Sequence, residues 1–303
     1  MRTTLLDIGG TFIKCQDGRQ IPIPSAGPRE AIAASLRKAV NGWDSFNQAG
    51  GLGGTPHSPL GVQGDDCFAS LSEASGAIPV AAPQFGISIP GPFDYKNGIF
   101  RAEHKFAAVK GESFRELAGL PAEADVRFIH DVCAVLEGSI RMLGLTDGNT
   151  AIVTLGTGLG FAVAQGGEVR YGPTLSPADC IWNLPLEDGI LEDKVSGRGV
   201  RAIYSSLGGD ATCTARDIAE MAFHGDRTAF EAYEQMGSIL GKAIYPILDK
   251  LAVRNLLFAG QISQSLSLME DGLRNHIGGL IRIAQAPEGA VFRGIETLFE
   301  TNQ

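Results

Sequence analysis

Apolar and polar residues alternate in three short bursts near the start of the chain, "TLLDIGG", "TFIKCQDG" and "RQIPI", with Gly9-Gly10 and Asp17-Gly18 at the breaks. Alternation with a period of two, closed by glycine turns, predicts a meander of three strands, and Asp-Gly is a standard hairpin signal. The same plan returns at "AIVTLGTGLGFAVAQGGEVRYG", Ala151 to Gly172, with Gly156 to Gly160 as the first turn and Gly166-Gly167 as the second. Each meander is followed by helical spacing: Ile32, Leu36 and Val40 in "REAIAASLRKAV", then "GVRAIYSSLG". The strand-like runs "QFGISIPG" and "VRFIHD" alternate with further helices. The pattern predicts α/β layers in two related halves rather than a β-sandwich.

The longest helical pattern is "RTAFEAYEQMGSILGKAIYPILDKLA", where Phe230, Tyr233, Met236, Ile239, Leu240, Ala243, Ile244 and Ile247 form one apolar stripe of a core helix. Between Asn41 and Asp66 lie seven glycines with Pro56 and Pro59 and little apolar periodicity. That composition predicts a long mobile surface loop, inserted into the α/β plan.

With 303 residues and 44% hydrophobic content the chain can bury the cores of about two domains. A net charge of −9 argues against binding nucleic acid or an anionic membrane through the whole surface, and points to small-molecule partners. Cys15, Cys67, Cys133, Cys180 and Cys213 are odd in number and never fall at C-x-x-C spacing. Neither a disulfide framework nor a zinc cluster is expected. Asp7 interrupts the first apolar run, and no stretch of about 18 apolar residues occurs. The expectation is a cytoplasmic protein.

Glycine at a strand-to-strand turn lets backbone N–H groups approach a ligand without a Cβ in the way, and phosphate is the natural ligand. Two such turns in related halves, facing across a cleft, would hold the phosphates of one nucleotide from both sides, with Asp7 beside the bound metal. Each turn alone also reads as an ordinary hairpin turn. "GSILGKA" has three residues between its glycines, lies inside the amphipathic helix and ends in Ala243, so it is not a P-loop. "GTGLGF" lacks the G-x-G-x-x-G spacing and leads into a strand, which excludes a Rossmann dinucleotide site.

The motifs "DIGGTFIK", "ISIPGPFD", "HD" before a helix, "LGTGLG" and "LFAGQIS" resemble, in order and spacing, those of the ROK family of sugar kinases, over nearly the whole chain. That resemblance implies an α/β fold of two related actin-like (ribonuclease H-like) domains, with mixed β-sheets flanked by helices and a cleft between them. The expected division is a smaller domain, 1–115 plus a C-terminal helix at 287–303, and a larger one, 116–286. It also implies ATP and Mg²⁺, a sugar substrate, no nucleic-acid or membrane partner, and room for a homodimer. Asp7, Gly9, Gly10, Thr11 and Lys14 would form the first phosphate loop, with Asp7 holding the metal through water. Gly156, Thr157 and Gly158 would form the second, and Gly260 with Gln261 would lie near adenosine, although the family usually has a second glycine at 261.

Phosphoryl transfer to an alcohol needs a carboxylate to take the hydroxyl proton, and Asp131 at the end of "VRFIHD" is the candidate. Its plain alternative is an N-cap for the helix that follows. The acceptor site departs from the family. His130 stands where a sugar-binding asparagine is expected, and "PADCIWN" stands in the region of a glutamate-histidine motif, with Asp179 and Trp182 the nearest counterparts. Neutral histidine offers one donor and one acceptor at a different reach from asparagine, so a changed hydroxyl pattern is expected. "LPLEDGILED" replaces the family's cysteine cluster, so no structural zinc is expected. Glu192 aligns with a family glutamate that contacts a sugar hydroxyl, and equally reads as a helix-initiating acid. Trp182 reads as a stacking platform or as packing. Ser88, Pro90 and Gly91 would border the sugar, or form a rigid turn. His104 and Lys105 in "AEHKF" border the cleft or lie in an exposed loop. A non-catalytic sensor on the same scaffold is the alternative function; a DNA-binding segment before the first loop is not expected, since six residues precede Asp7.

Overall fold

A computed structural model describes residues 3–41 and 82–300. The glycine-rich stretch expected as a surface loop lies, beyond Asn41, outside the described residues. The first sheet has the order β3-β2-β1-β4-β7, from β1 (Thr3–Ile8), β2 (Phe12–Cys15), β3 (Gln20–Pro22), β4 (Gln84–Ile89) and β7 (Asp125–His130). The first three strands are the expected antiparallel meander, and β4 and β7 add parallel strands on the other side of β1. A short hairpin of β5 (Phe93–Asp94) and β6 (Ile99–Phe100) stands between β4 and β7. Sheet pairing thus carries the first sheet to His130.

The second sheet repeats this order as β10-β9-β8-β13-β14. Its meander is β8 (Asn149–Leu155), β9 (Leu159–Gln165) and β10 (Glu168–Val169), and its parallel strands are β13 (Val253–Ala259) and β14 (Arg282–Gln285). Gly166 and Gly167 both take positive φ, 56° and 84°, as a tight two-residue hairpin requires. A small ladder of β11 (Pro185–Leu186) and β12 (Gly189–Ile190) lies between.

Each sheet is covered on both faces, and the period-two alternation sorts its side chains between two cores. On β1, Leu6 and Ile8 face outward toward α1 (Arg29–Val40) and α2 (Phe114–Ala118), while Leu5 faces the second sheet. On β8, Ala151, Val153 and Leu155 face an outer helical layer, while Ile152 faces back. That outer layer holds α4 (Leu191–Lys194), α5 (Gly197–Ser206), α6 (Ala215–Phe223), α7 (Arg227–Lys250) and α8 (Leu266–Ile277). Between the sheets lie α3 (Asp131–Leu143) and α9 (Ala290–Glu296).

The long helix is α7, as expected, but its buried face is rotated from the sequence reading. Ala229, Ala232, Tyr233, Met236, Gly237, Leu240, Gly241, Ile244 and Leu248 are buried, whereas Phe230 is 37% exposed. The glycines of the P-loop-like "GSILGKA" explain the rotation, because Gly237 and Gly241 lie against the carbonyls of Met269 and Leu273 on α8. Those small residues let the two helices approach closely.

The same device joins the two inter-sheet helices. A methyl group on Gly138 of α3 would collide with the Ala290 carbonyl of α9, and one on Gly294 would collide with the Ala134 carbonyl. Overpacking a closed interface costs about 1–3 kcal/mol, and backbone offers less give than side chains. Gly138→Ala is expected to lower stability by at least that much in urea unfolding, and Gly138→Val to abolish a cooperative transition. A wild-type midpoint for either variant would contradict this packing.

Candidate active site

Parallel strands β1, β4 and β7 all end at one edge of the first sheet, the edge where open α/β sheets bind ligands. Register places Asp7 of β1 beside Ser88 of β4, and Ile89 beside His130 of β7, so Asp131 follows directly at the start of α3. Buried Ser88 donates its Oγ hydrogen to Asp7 Oδ1 at 3.1 Å, and Lys14 Nζ stands 3.9 Å from Asp7 Oδ2. Burial pushes the Asp7 carboxyl up to about 6; Lys14 and Ser88 oppose the rise, and the neighbouring Asp131 charge adds to it.

Asp131 carries the opposite displacement. Burial would raise its carboxyl, but the His130 ring, the Val132 N–H and the Lys105 charge together hold it below the ordinary aspartate value. His130 Nδ1 lies 2.8 Å from Asp131 Oδ1, and the Val132 amide donates to the same oxygen at 2.7 Å. The N-cap of α3 is His130, not Asp131: His130 Nδ1 also accepts the Val132 amide, at 3.3 Å, while Asp131 lies inside the first turn and its Oδ2 has no partner among the described residues. His130 is held in turn. Its ring lies 5.7 Å from that of Tyr95, whose hydroxyl donates to the Ile89 carbonyl at 3.1 Å. Gly91 of the PGP turn packs over both, because a Cβ there would sit 3.4 Å from His130 Nε2 and from the Tyr95 oxygen. Pro90 precedes it at the end of β4.

The two glycine turns share one construction. Gly9 N–H closes the first turn on the Phe12 carbonyl at 2.9 Å, and Gly156 N–H closes the second on Gly158 at 3.1 Å. In consequence the amides of Gly10, Thr11, Thr157 and Gly158 donate to no acceptor among the described residues. A Cβ on Gly156 would meet nothing within 4 Å, so that turn faces open space. The Gly156 carbonyl accepts from Gly197 at the first turn of α5, which fixes the loop against the helix. Gly260, at the end of β13, takes φ of 91° and lies against the Leu155 carbonyl, where a side chain would collide. Gln261 follows it at the start of a short 3₁₀ turn, Ile262–Ser265.

The sheets meet next to Asp131. Val132, adjacent to Asp131, lies 3.5 Å from where a side chain would project from Gly160 on β9. Asp7, Ser88, Gly91, His130 and Asp131 thus form one group, and Gly156, Thr157, Gly158 and Gly260 form another. Glu192 belongs with the second group: its Oε2 accepts the Leu159 amide at 2.9 Å, and Arg198 contacts Oε1 at 3.2 Å. The Glu192 amide in turn donates to the Trp182 carbonyl, and the Trp182 side chain is 46% exposed. Asp179 is engaged by Arg170 at 3.3 Å. Sequence reasoning missed Arg170, Arg198, Tyr95 and Ser25, whose partners lie six to fifteen residues away across turns, where no periodicity marks them.

An open cavity of about 340 Å³, lined by Thr3, Leu5, Cys15 and Arg19, lies at the other end of β1 and contains none of these residues. Among the described residues no helix is long and apolar enough to cross a membrane.

Residues 186–290 match the model of the ROK family. No curated protein matches the sequence. A ROK family glucokinase from Streptomyces griseus, solved with glucose and AMPPNP, is similar with a TM-score of 0.71 at 19% identity, over 98% of this chain and 98% of that chain. A ROK hexokinase from Thermus thermophilus is similar with a TM-score of 0.64 at 19% identity, over 97% of this chain and 96% of that one. A ROK family transcriptional regulator gives 0.69 at 16% identity, over 97% of this chain and 76% of that one. The chain thus matches the ROK family model over residues 186–290 and shares its fold, over nearly its whole length, with these ROK structures.

Proposed function

We propose that the protein is an ATP-dependent kinase that phosphorylates a hydroxyl of a hexose or hexose derivative. The observation that carries this reading is the placement of unpartnered amides in two glycine turns, on two sheets, with a half-buried carboxylate at the edge between them. Oriented N–H groups of this kind cradle phosphate oxygens. Sugar kinases among the structural neighbours, one of them with a bound nucleotide analogue, support the same reading.

Asp7 fits a magnesium ion, because Mg²⁺ in phosphoryl-transfer sites uses one or two carboxylates and keeps its remaining positions for water and phosphate. Bound there, the ion would neutralise phosphate charge. Asp131 has the geometry of a general base, with Oδ1 held by the Val132 amide beside His130 Nδ1 and Oδ2 free to accept a proton. As the acceptor oxygen bonds to the γ-phosphorus, its proton passes to Asp131, the bond from phosphorus to the β–γ bridging oxygen breaks, and ADP leaves. His130 fixes the orientation of the base. Closure of the two halves excludes water from the γ-phosphate.

A second reading, a non-catalytic sugar sensor, is favoured by the regulator among the structural neighbours and by the altered residues at 130, 179 and 182. The two separate in an ADP-release assay with Mg-ATP against hexoses, N-acetylated amino sugars, ketoses and polyols. Turnover of one acceptor class is expected, falling by about 100-fold or more in Asp131→Asn with an unchanged melting temperature. Full activity in that variant removes Asp131 from the chemistry, and a sugar-dependent thermal shift without turnover supports the sensor. A pH profile tests His130. Removing a group that lowers the Asp131 pKa raises it, and the base works only when ionised. His130→Leu is therefore expected to move the acid limb of kcat/KM to higher pH, and an unmoved limb would contradict the pairing.

A further inference from the structure

We propose that Lys105 is a catalytic residue of the transfer step, its ammonium binding the terminal phosphoryl oxygens of the nucleotide between the first glycine turn and Asp131. The inference rests on the kinase reading and adds to it the cation that meets the charge of the group being transferred.

Lys105 lies in an exposed loop by sequence pattern, yet the structure ties that loop to the phosphate turn at two points. Ser25 Oγ donates to the Gly10 carbonyl at 2.6 Å, and the Phe106 amide donates to the Ser25 carbonyl at 2.6 Å. Phe106 is buried in the core beneath, in a left-handed conformation with φ of 62°. A non-glycine residue keeps that conformation only where its surroundings hold it. With Phe106 anchored inward, the preceding residue is delivered to the glycine turn. The Lys105 Cδ and Cε atoms lie 3.4 Å from where a side chain would project from Gly10. The Lys105 charge also reaches Asp131 and helps to lower its carboxyl.

The ammonium is uncommitted. Lys105 makes no ion pair or hydrogen bond among the described residues, whereas nearby Lys14 faces Asp7 and Lys110 pairs with Glu103. A compact cation with three donors, placed between unpartnered amides and a general base, suits a phosphoryl group whose charge is spread over its equatorial oxygens. Lys105 thus supplies for those oxygens what Asp7 supplies for a metal.

The test compares wild type, Lys105→Met, which keeps the aliphatic stem, and Lys105→Arg. Calorimetry with Mg²⁺ and either AMPPNP or ADP, without sugar, reads the recognition of the terminal phosphate apart from turnover. Wild type is expected to prefer AMPPNP, and Lys105→Met to lose that preference by about tenfold while binding ADP as before. Where an acceptor is turned over, kcat is expected to fall by about 100-fold in Lys105→Met and to recover in part in Lys105→Arg. An AMPPNP-to-ADP ratio that is the same in wild type and Lys105→Met overturns the proposal, as does a kcat within about threefold of wild type. Loss of the preference in a protein that turns over no sugar keeps Lys105 as a ligand of the terminal phosphate and overturns its catalytic role together with the kinase reading.

Discussion

Everything at the site depends on how closely α3 and α9 can pack between the two sheets. Gly138 and Gly294 place each helix against a backbone carbonyl of the other, a distance that no side chain permits. Asp131 is the first residue of α3, so the crossing that fixes the helix also fixes the proposed base. The contact of Val132 with Gly160 then sets the distance between that base and the second sheet, on which the other glycine turn is built. Packing and chemistry are in this sense one constraint: a wider helix crossing would part the two turns.

On that frame, two carboxylates a short distance apart are driven in opposite directions. Asp7 is largely buried, with a single hydroxyl donor and an ammonium 3.9 Å away, and its carboxyl rises to about 6. Asp131 has the His130 ring and an amide on one oxygen, and falls. Neighbouring acids whose environments separate their titrations are suited to different roles. In the proposed kinase the first would favour the approach of a cation that restores its charge, and the second would remain ionised as a base. Lys105 and the free amides lie where the negative charge of a phosphate would be met.

Much of this was legible in the sequence, and what was not has a common cause. The meanders β1–β3 and β8–β10 show in the chain because alternation and turn chemistry are local, and their repetition revealed the paired sheets. Asp131 and its helix were legible for the same reason. The membership of β7 in the first sheet was not, since it depends on pairing with a strand distant in sequence. Phe230 was assigned to the buried stripe because spacing weighs large apolar residues, whereas the face of α7 that meets α8 is set by Gly237 and Gly241. The Gly10–Ser25–Phe106 chain of hydrogen bonds that positions Lys105 joins three separate segments, and no periodicity marks it. The engagement of Glu192 by the Leu159 amide is hidden in the same way.

The central claim is that two turns on two sheets hold one ligand. Amide NMR of the intact protein, titrated with Mg²⁺ and AMPPNP, tests it most directly. The account predicts that the resonances of Gly10 and Thr11 shift together with those of Thr157 and Gly158, along one binding isotherm. Response of only one turn, or two isotherms of different affinity, would contradict it.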